Sequence, residues 1–352
     1  MVLLRDSPTG LETWLGYRPG SSPLGVLAFP GGSLEASDDD AVGWLGPSPQ
    51  HWAEQMGTDD VGLARRHVVG AIRELFEEAG VLLAGPDMST TVENTSTQDW
   101  MRARVAVADQ EKTFTELLAK RGLSLRTDLL KPLVNWRSPD FAHRRFDTRY
   151  FAATVPMNQQ PSLLESKGVW GRWVCATKAI AARSTTALGD EVGQENTVGL
   201  TLGQLLVPGS EIMLEKMAAA NGCIAYLSYK RKPHVYQARL VEEEGTLMLE
   251  VEAAKTVAGD PSANASPRTE NGNPLLLRER PPPGSNALSL IAGFWAALSH
   301  INTQKGPKGG IRKRASKRRS GPTPSGFPSR ACEVRGTVGR STRRMSALGP
   351  KS

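Results

Sequence analysis

The sequence predicts a fold of the α/β or α+β class, in which strands and two or three helices form a sandwich. Short apolar segments that are typical of strands recur at residues 2–4, 13–17, 25–29 and 145–155. Residues 61–79 instead repeat their apolar side chains at steps of three and four, which is typical of a helix with one buried face. Strand and helix patterns along one chain therefore predict the mixed class.

The first predicted strands lead into a turn rich in glycine. Residues 2–4 and 13–17 form a predicted hairpin around Pro8-Thr9-Gly10. The next strand, residues 25–29, runs into Pro30-Gly31-Gly32. The two glycines permit backbone angles that other residues avoid, and they leave room for a ligand or a helix to approach.

The helix predicted after this turn has signals at both ends. Residues 58–60 offer side-chain oxygens for its N-terminus, and Gly80 suits the left-handed position that often ends a helix. Gly62 and Gly70 weaken its first half. The apolar stripe that predicts its buried face consists of Val61, Ala64, Val68, Ala71, Ile72, Leu75 and Ala79.

Three carboxylates mark the polar face of this helix. Glu74, Glu77 and Glu78 are three or four residues apart, so they are expected to share one side. Like charges so close together repel, and a divalent cation such as Mg²⁺, which prefers carboxylate oxygens, would remove that penalty. The alternative interpretation is a charged helix face that is simply solvated.

Later segments are assigned more coarsely. Residues 40–57 are interpreted as an insertion loop with a short helix, and residues 81–83 and 169–175 as strands. Residues 223–249 are expected to form two or three strands that turn at residues 243–245. Residues 99–121 are helical in pattern, with a predicted buried face of Met101, Val105, Phe114, Leu117 and Leu118.

The glycine turn and the carboxylate run together resemble the signature of the Nudix hydrolase family. That signature is Gly, five residues, Glu, seven residues, then Arg-Glu-apolar-x-Glu-Glu-x-Gly-apolar. Residues 73–81, which read Arg-Glu-Leu-Phe-Glu-Glu-Ala-Gly-Val, match its second half without a gap. Gly32 fits the first glycine, and Asp38 stands where the first Glu is expected. Residues 39–72 replace the seven-residue spacer and are interpreted as an insertion within the motif that leads into the catalytic helix.

Two further runs resemble the branch of the family that carries an insertion at this point. This branch includes peroxisomal-type coenzyme A diphosphatases and their bacterial relatives. The runs are Trp136-Arg137-Ser138-Pro139 and Arg144-Arg145-Phe146-Asp147-Thr148-Arg149-Tyr150-Phe151. The resemblance implies an α/β/α sandwich with a mixed sheet over residues 1–255, and it is loose beyond residue 175.

The resemblance implies hydrolysis of a diphosphate linkage in a nucleoside-diphosphate-linked small molecule, with Mg²⁺ or Mn²⁺ as cofactor. Such an enzyme is an acid-anhydride hydrolase that acts on phosphorus-containing anhydrides. Coenzyme A or acyl-coenzyme A is one candidate substrate, and nucleotide sugars, dinucleoside polyphosphates and NAD(H) are others. The Arg-Ser segment that opens the coenzyme A motif is not matched by the residues that follow Arg18.

The resemblance also implies roles for individual residues. Glu74, Glu77 and Glu78 would hold the metal, with Glu77 alternatively activating water, and Arg73 would orient a carboxylate. The remaining candidates would shape the substrate loop or contact phosphate, namely Gly31, Gly32, Asp38, Arg145, Arg149 and, with weaker support, Arg18. For Arg145 and Arg149 the alternative is a structural pairing with Asp147.

The C-terminal part differs in composition from the rest. Residues 256–285 are rich in Pro, Ser, Asn and Gly and are interpreted as a linker. Residues 286–352 are interpreted as a disordered, low-complexity basic tail, because residues 300–352 contain too few apolar residues to fold alone. Its apolar run, residues 287–298, is shorter than the roughly 20 residues that span a bilayer.

The formal net charge of +7 divides unevenly along the chain. Residues 301–352 carry 14 Lys and Arg with one acidic residue, whereas residues 1–300 carry 29 basic and 35 acidic residues. The acidic body fits a small phosphorylated substrate and argues against a nucleic-acid groove in the folded part. Nucleic acid would be bound only through the tail.

Three alternatives follow for the tail. A non-catalytic Nudix-fold regulatory protein would use it on nucleic acid, residues 287–298 would rest on an anionic membrane surface, or the tail is dispensable. Three distant cysteines and the lack of a signal peptide predict a reducing, cytoplasmic location. The oligomeric state is left open, a homodimer included.

Overall fold

The structure is a computed structural model, and the mixed α/β class predicted from the sequence is confirmed. The described residues are 1–19, 25–138, 145–164, 168–229, 231, 234–243, 246–253 and 276–277. Within the predicted linker, only Leu276–Leu277 is described, as a short strand. The predicted basic tail lies outside the described residues, as do Pro139 and Arg144.

A mixed sheet of nine strands forms the centre of the fold. Its order is β12-β11-β10-β7-β8-β1-β2-β3, and β9 pairs with β2. The pairs β1–β8 and β7–β10 are parallel, and the others are antiparallel. The strands are β1 (Val2–Ser7), β2 (Gly10–Tyr17), β3 (Leu27–Ala28), β7 (Lys131–Arg137), β8 (Asp147–Thr154), β9 (Gly171–Cys175), β10 (Val235–Glu243), β11 (Thr246–Ala253) and β12 (Leu276–Leu277). A second sheet contains β4 (Gly43–Leu45), β5 (Ala84–Gly85) and β6 (Ser124–Arg126).

Helices cover both faces of the large sheet. Successive residues of β1 point to opposite sides, so Val2 and Leu4 belong to one buried cluster and Leu3 to another. The described helices are α1 (Pro49–Met56), α2 (Val61–Ala79), α3 (Gln98–Ala108), α4 (Phe114–Lys120), α5 (Ala176–Ala181), α6 (Ala187–Val192), α7 (Leu202–Leu205), α8 (Pro208–Ala218) and α9 (Cys223–Ser228), with 3-10 turns at Ala36–Asp39 and Thr127–Leu129. The α2 side chains Ile72 and Leu75 pack in the Leu3 cluster, and α8 packs in the other.

Several predicted elements are confirmed. The β1–β2 hairpin closes at Ser7 and Gly10, and β8 and β9 lie within the predicted strand segments. Helix α2 begins after Asp60, whose Oδ1 accepts a hydrogen bond from Leu63 N at 2.8 Å. It ends at Gly80, which has a left-handed φ of 69°. Residues 61–72, the last 12 residues of the predicted insertion, are therefore the first part of α2.

Two strand assignments were wrong. Residues 81–83 are buried but form no strand, because the side chain of Gln159 bonds to both the N–H and the C=O of Leu82. Residues 223–228 form α9 instead of a strand, and Asp6 Oδ1 accepts the N–H of Cys223 at its first turn. The strands of this region begin only at β10.

The predicted helix over residues 99–121 is divided into α3 and α4. Thr113 and Glu116 form a reciprocal cap that starts α4. The α4 residues of the predicted buried face are buried, but Val105 of α3 is 39% exposed. Helix α3 turns Arg104 and Val107 inwards instead.

No helix among the described residues is long and apolar enough to cross a membrane. Cys175 and Cys223 are buried free thiols.

Candidate active site

The three carboxylates of α2 lie near its C-terminal end, on the side that faces the glycine turn. Their positions follow from the apolar stripe, which commits the opposite side of the helix to the core. Glu74, Glu77 and Glu78 all line one cavity of about 440 Å³. The structure thus brings the predicted metal ligands together at one opening.

Arg73 lies beneath the carboxylates with 1% of its side chain exposed. Its Nε and Nη2 donate to Oδ1 and Oδ2 of Asp38 at 2.8 and 3.0 Å. Its Nη1 lies 3.1 Å from Oε1 of both Glu74 and Glu77. A further hydrogen bond reaches Ser33 O at 2.8 Å. Arg73 is therefore fixed from several directions and holds two of the three carboxylates in place.

Asp38 is as deeply buried as Arg73, so each needs the other's charge. Asp38 Oδ2 also accepts the N–H of Glu35 at 2.8 Å. The helix passes close by at Gly70, where an added Cβ would lie 2.9 Å from Asp38 Oδ2. Gly70, a weak point in terms of helix propensity, therefore permits the close contact between Asp38 and α2.

Glu74 is a largely buried carboxylate with a raised pKa. Burial raises its pKa to about 7, and the charges of Glu78 and Glu77 act in the same direction while Arg73 opposes them. Gly32 is packed against it, since an added Cβ would lie 2.3 Å from Glu74 Oε1. Glu74 thus carries a desolvated carboxyl group, and the lack of a side chain at Gly32 leaves space for it.

Glu78 has different partners. Its Oε2 accepts hydrogen bonds from Arg18 Nη2 at 2.5 Å and from Gly31 N at 2.9 Å. The same Nη2 atom of Arg18 donates to Gly31 O. Arg18 follows β2 and is 22% exposed, in contrast to Arg73. The structure therefore brings Arg18 into the centre of the site.

A second cavity, also about 440 Å³, lies beside the first one. Both cavities are lined by Arg18, Ala28, Pro30 and Glu74. The side chains that line only the first include Trp14, Tyr17 and Leu163, and those that line only the second include His67, Arg149 and Tyr150. Arg18 and Glu74 thus stand where the two cavities meet.

The two arginines predicted on β8 have separate positions. Arg149 lines the second cavity, donates to Met56 O at 2.8 Å and has its Nε 3.7 Å from Asp147 Oδ1. Burial lowers its pKa from the ordinary value, against the charge of Asp147. Arg145 is exposed and does not line the described part of either cavity. The structure brings Arg149 near the site but not Arg145.

Sequence reasoning missed Arg104, a fully buried residue of α3. Its Nε donates to Glu77 O at 2.9 Å, and its Nη1 and Nη2 bond to Ser162 Oγ and O at 3.1 and 3.0 Å. Burial lowers its pKa to about 10, against the charges of Glu78 and Glu77, so it stays protonated at neutral pH. Arg104 joins the end of α2 to the segment that carries Leu163. No local pattern marks it, since its partners are distant in sequence.

The fit of a divalent cation depends on how the carboxylates are arranged. Within the part of the chain that the structure describes, no three acidic, histidine or cysteine side chains are placed to bind one ion together. Glu74 and Glu77 face Arg73, and Glu78 faces Arg18. The donors are nevertheless hard carboxylate oxygens on one helix face, with room at Gly32 for the Glu74 carboxylate. These oxygens would be available to a hard divalent cation once Arg18 releases Glu78.

No protein-family model and no curated protein matches the sequence. Among solved structures, the chain is similar to a NUDIX hydrolase from Alicyclobacillus acidocaldarius, with 20% sequence identity and a TM-score of 0.49. The match covers 65% of this chain and 93% of that chain. At this identity and TM-score, the similarity assigns neither a family nor an activity to the chain.

Proposed function

We propose that this protein is a Nudix-type hydrolase that cleaves the diphosphate linkage of a nucleoside-diphosphate-linked small molecule with the help of Mg²⁺ or Mn²⁺. The observation that carries the proposal is the convergence of Glu74, Glu77 and Glu78 on one cavity, with Glu74 also lining the second cavity beside it. A solvated helix face would need neither a buried arginine beneath it nor a glycine whose lack of a side chain leaves space for one of its carboxylates.

The chemical problem is the attack of water on phosphorus that is already surrounded by negative oxygens. Glu74 and Glu78 would bind the cation, and Glu77 would either complete its ligands or accept a proton from the attacking water. The cation would neutralise phosphate charge and acidify bound water. Water oxygen forms the new bond to phosphorus, and the bridging P–O bond breaks to leave two phosphate esters.

The surrounding residues hold this arrangement. Arg73 orients Glu74 and Glu77, and Asp38 keeps Arg73 in place. Arg18 lies at the junction of the cavities and is the described cation best placed to contact a phosphate. The aromatic side chains Trp14 and Tyr17 line the first cavity and offer flat surfaces to a base or another planar group.

Coenzyme A and acyl-coenzyme A are our first candidate substrates, because residues 136–139 and 144–151 resemble the insertion-containing branch of the Nudix family. We expect the reaction in a reducing, cytoplasmic compartment. Arg145, which lies outside both cavities, is the weakest of the proposed substrate contacts.

The test is hydrolysis of a substrate panel by the full chain with Mg²⁺ and with Mn²⁺. The panel contains coenzyme A, acyl-coenzyme A, NADH, ADP-ribose, nucleotide sugars and diadenosine polyphosphates. We expect metal-dependent cleavage of one class and its loss in Glu78→Gln and Glu77→Gln. Glu93→Gln removes the same charge from an exposed loop and should retain activity. Equal turnover by wild type and both site variants would refute the proposal.

One observation favours a second candidate function, a non-catalytic binding protein with the same fold. Every carboxylate of the cluster is paired with an arginine, as in a structural ion network. The panel separates the two, since a binding protein would show no turnover with any substrate while remaining folded. In that case, salt-dependent binding of nucleic acid by the full chain, lost on deletion of residues 301–352, would be the next measurement.

A further inference from the structure

The two arginines at the carboxylate cluster are held in different ways. Arg73 is 1% exposed and bonds to both oxygens of Asp38 and to a backbone carbonyl, besides two glutamates. Arg18 is 22% exposed, and its partner Glu78 is 34% exposed. Displacing Arg73 would leave a buried aspartate without a partner, whereas displacing Arg18 would leave a glutamate that water can reach. Of these two arginines, only Arg18 can separate from its carboxylate at a small cost in free energy.

Arg18 also competes with a cation for one oxygen atom. Its Nη2 donates to Glu78 Oε2, the oxygen that also accepts the N–H of Gly31. Gly31 thus holds the carboxylate in place whether or not Arg18 is present. A divalent cation at Glu78 carries twice the charge of a guanidinium and cannot share this position with it.

The place to which Arg18 would move is defined by the cavities. Arg18 lines both of them, and so does Glu74. A diphosphate that spans their junction would therefore lie within reach of the released side chain. A guanidinium grips phosphate oxygens through paired hydrogen bonds, so the move exchanges one anionic partner for another.

We propose that Arg18 is an exchangeable counter-ion. It neutralises Glu78 when no cation is bound, is displaced by a divalent cation, and then binds the diphosphate of the substrate. The cation and the diphosphate therefore strengthen each other's binding through this side chain. The inference rests on the proposed function, because it requires that Glu78 binds a cation.

The test measures binding instead of turnover. Mn²⁺ affinity of the full-length protein is determined by electron paramagnetic resonance, alone and with the non-hydrolysable diphosphate α,β-methylene-ADP, after subtraction of a protein-free titration. In Arg18→Gln, Mn²⁺ alone should bind about two- to fivefold more tightly, the range expected when a partly exposed ion pair no longer competes. Arg18→Lys retains the charge and should show a smaller gain.

The analogue should raise the Mn²⁺ affinity of the wild type about fivefold or more, and this gain should shrink towards one in Arg18→Gln. Arg66→Gln is the matched control, because Arg66 lies on α2, the helix that carries Glu78, but pairs with the exposed Asp39. It should change neither value. Circular dichroism and thermal unfolding confirm that each variant is folded.

Two outcomes would overturn the proposal: Mn²⁺ binding that is unchanged or weaker in Arg18→Gln, or a gain from the analogue that persists in that variant. Failure of the proposed function looks different. In that case the wild type binds no Mn²⁺ beyond the level of Glu78→Gln, whatever residue stands at position 18.

Discussion

Two buried arginines contact the C-terminal half of α2, and they have different kinds of hydrogen-bond partner. Arg73 is surrounded by carboxylates, with Asp38 in a two-pronged pair and Glu74 and Glu77 at 3.1 Å. Arg104 is hydrogen-bonded to neutral oxygens of Glu77 and Ser162, and feels carboxylate charge only at longer range.

The difference lies in what each arginine organises. Arg73 fixes the positions of three carboxylate side chains, whereas Arg104 ties a backbone segment to the end of a helix. A buried charge with ionic partners is costly to break, because each partner is left uncompensated. When a buried charge with neutral partners is replaced, only uncharged polar groups lose a partner. The substitution also removes the free-energy cost of burying the charge.

The largest effect is therefore expected at Arg73. Arg73→Met leaves Asp38, Glu74 and Glu77 without their shared cation, and unfolding in urea should show a loss of about 3–5 kcal/mol in the free energy of unfolding. Asp38→Asn added to Arg73→Met should recover part of that loss, since one uncompensated charge disappears. If Arg73→Met costs less than about 1 kcal/mol, the cluster is not the electrostatic centre described above.

Arg104→Met should cost less, about 1–3 kcal/mol, because Glu77 O and Ser162 lose donors but no carboxylate loses its only partner. Ser162→Ala removes one of the same acceptors and serves as the milder comparison, at about 1 kcal/mol. Hydrogen exchange should quicken around residues 159–164 in Arg104→Met. A loss equal to that of Arg73→Met would contradict the distinction between charged and neutral partners.

His67 extends the comparison to a buried side chain of α2 at which a positive charge is disfavoured. Burial and the charge of Arg149 lower its pKa from 6.5 to about 4, against the charge of Asp147. The unfolded chain takes up a proton near pH 6.5 and the folded chain does not. The stability associated with neutral His67 is therefore complete above pH 6.5 and is lost as the pH falls towards 4.

His67→Gln, which cannot be protonated, provides the reference. The difference in free energy of unfolding between wild type and variant should change by about 1–2 kcal/mol between pH 8 and pH 5, with the wild type losing more. Partial exposure of the ring keeps the effect below the full value of the pKa shift. Parallel pH profiles for the two proteins would show that His67 is not held neutral.

The Arg73 cluster could be predicted from the sequence because its signals are local. The spacing of Glu74, Glu77 and Glu78 places them on one face, and the residues at 58–60 and Gly80 mark the helix ends. Asp38 was a candidate only through the resemblance to a known signature, and its pairing with Arg73 was not predicted, since 34 residues lie between the partners.

The Arg104 region could not be predicted, because its interactions join distant segments. Arg104 bonds to Ser162, and the segment at Leu82 is held by Gln159 in place of a strand neighbour. The helices between residues 176 and 228 were missed for a similar reason. They are short, and most of their stability comes from packing on the sheet, so intrinsic propensity says little about them.

The smallest predicted effect compares two glycines of α2. At Gly62 an added Cβ would have Asp60 Oδ1 as its nearest neighbour at 3.4 Å, so Gly62→Ala should stabilise the protein by about 0.5 kcal/mol through helix propensity. At Gly70 the same methyl group would lie 2.9 Å from Asp38 Oδ2 and 3.0 Å from Leu34. Gly70→Ala should therefore destabilise it by about 1 kcal/mol, because Asp38 must shift away from Arg73. Urea unfolding of the two variants decides the matter: if both are stabilised equally, α2 does not need a glycine at position 70 to approach Asp38.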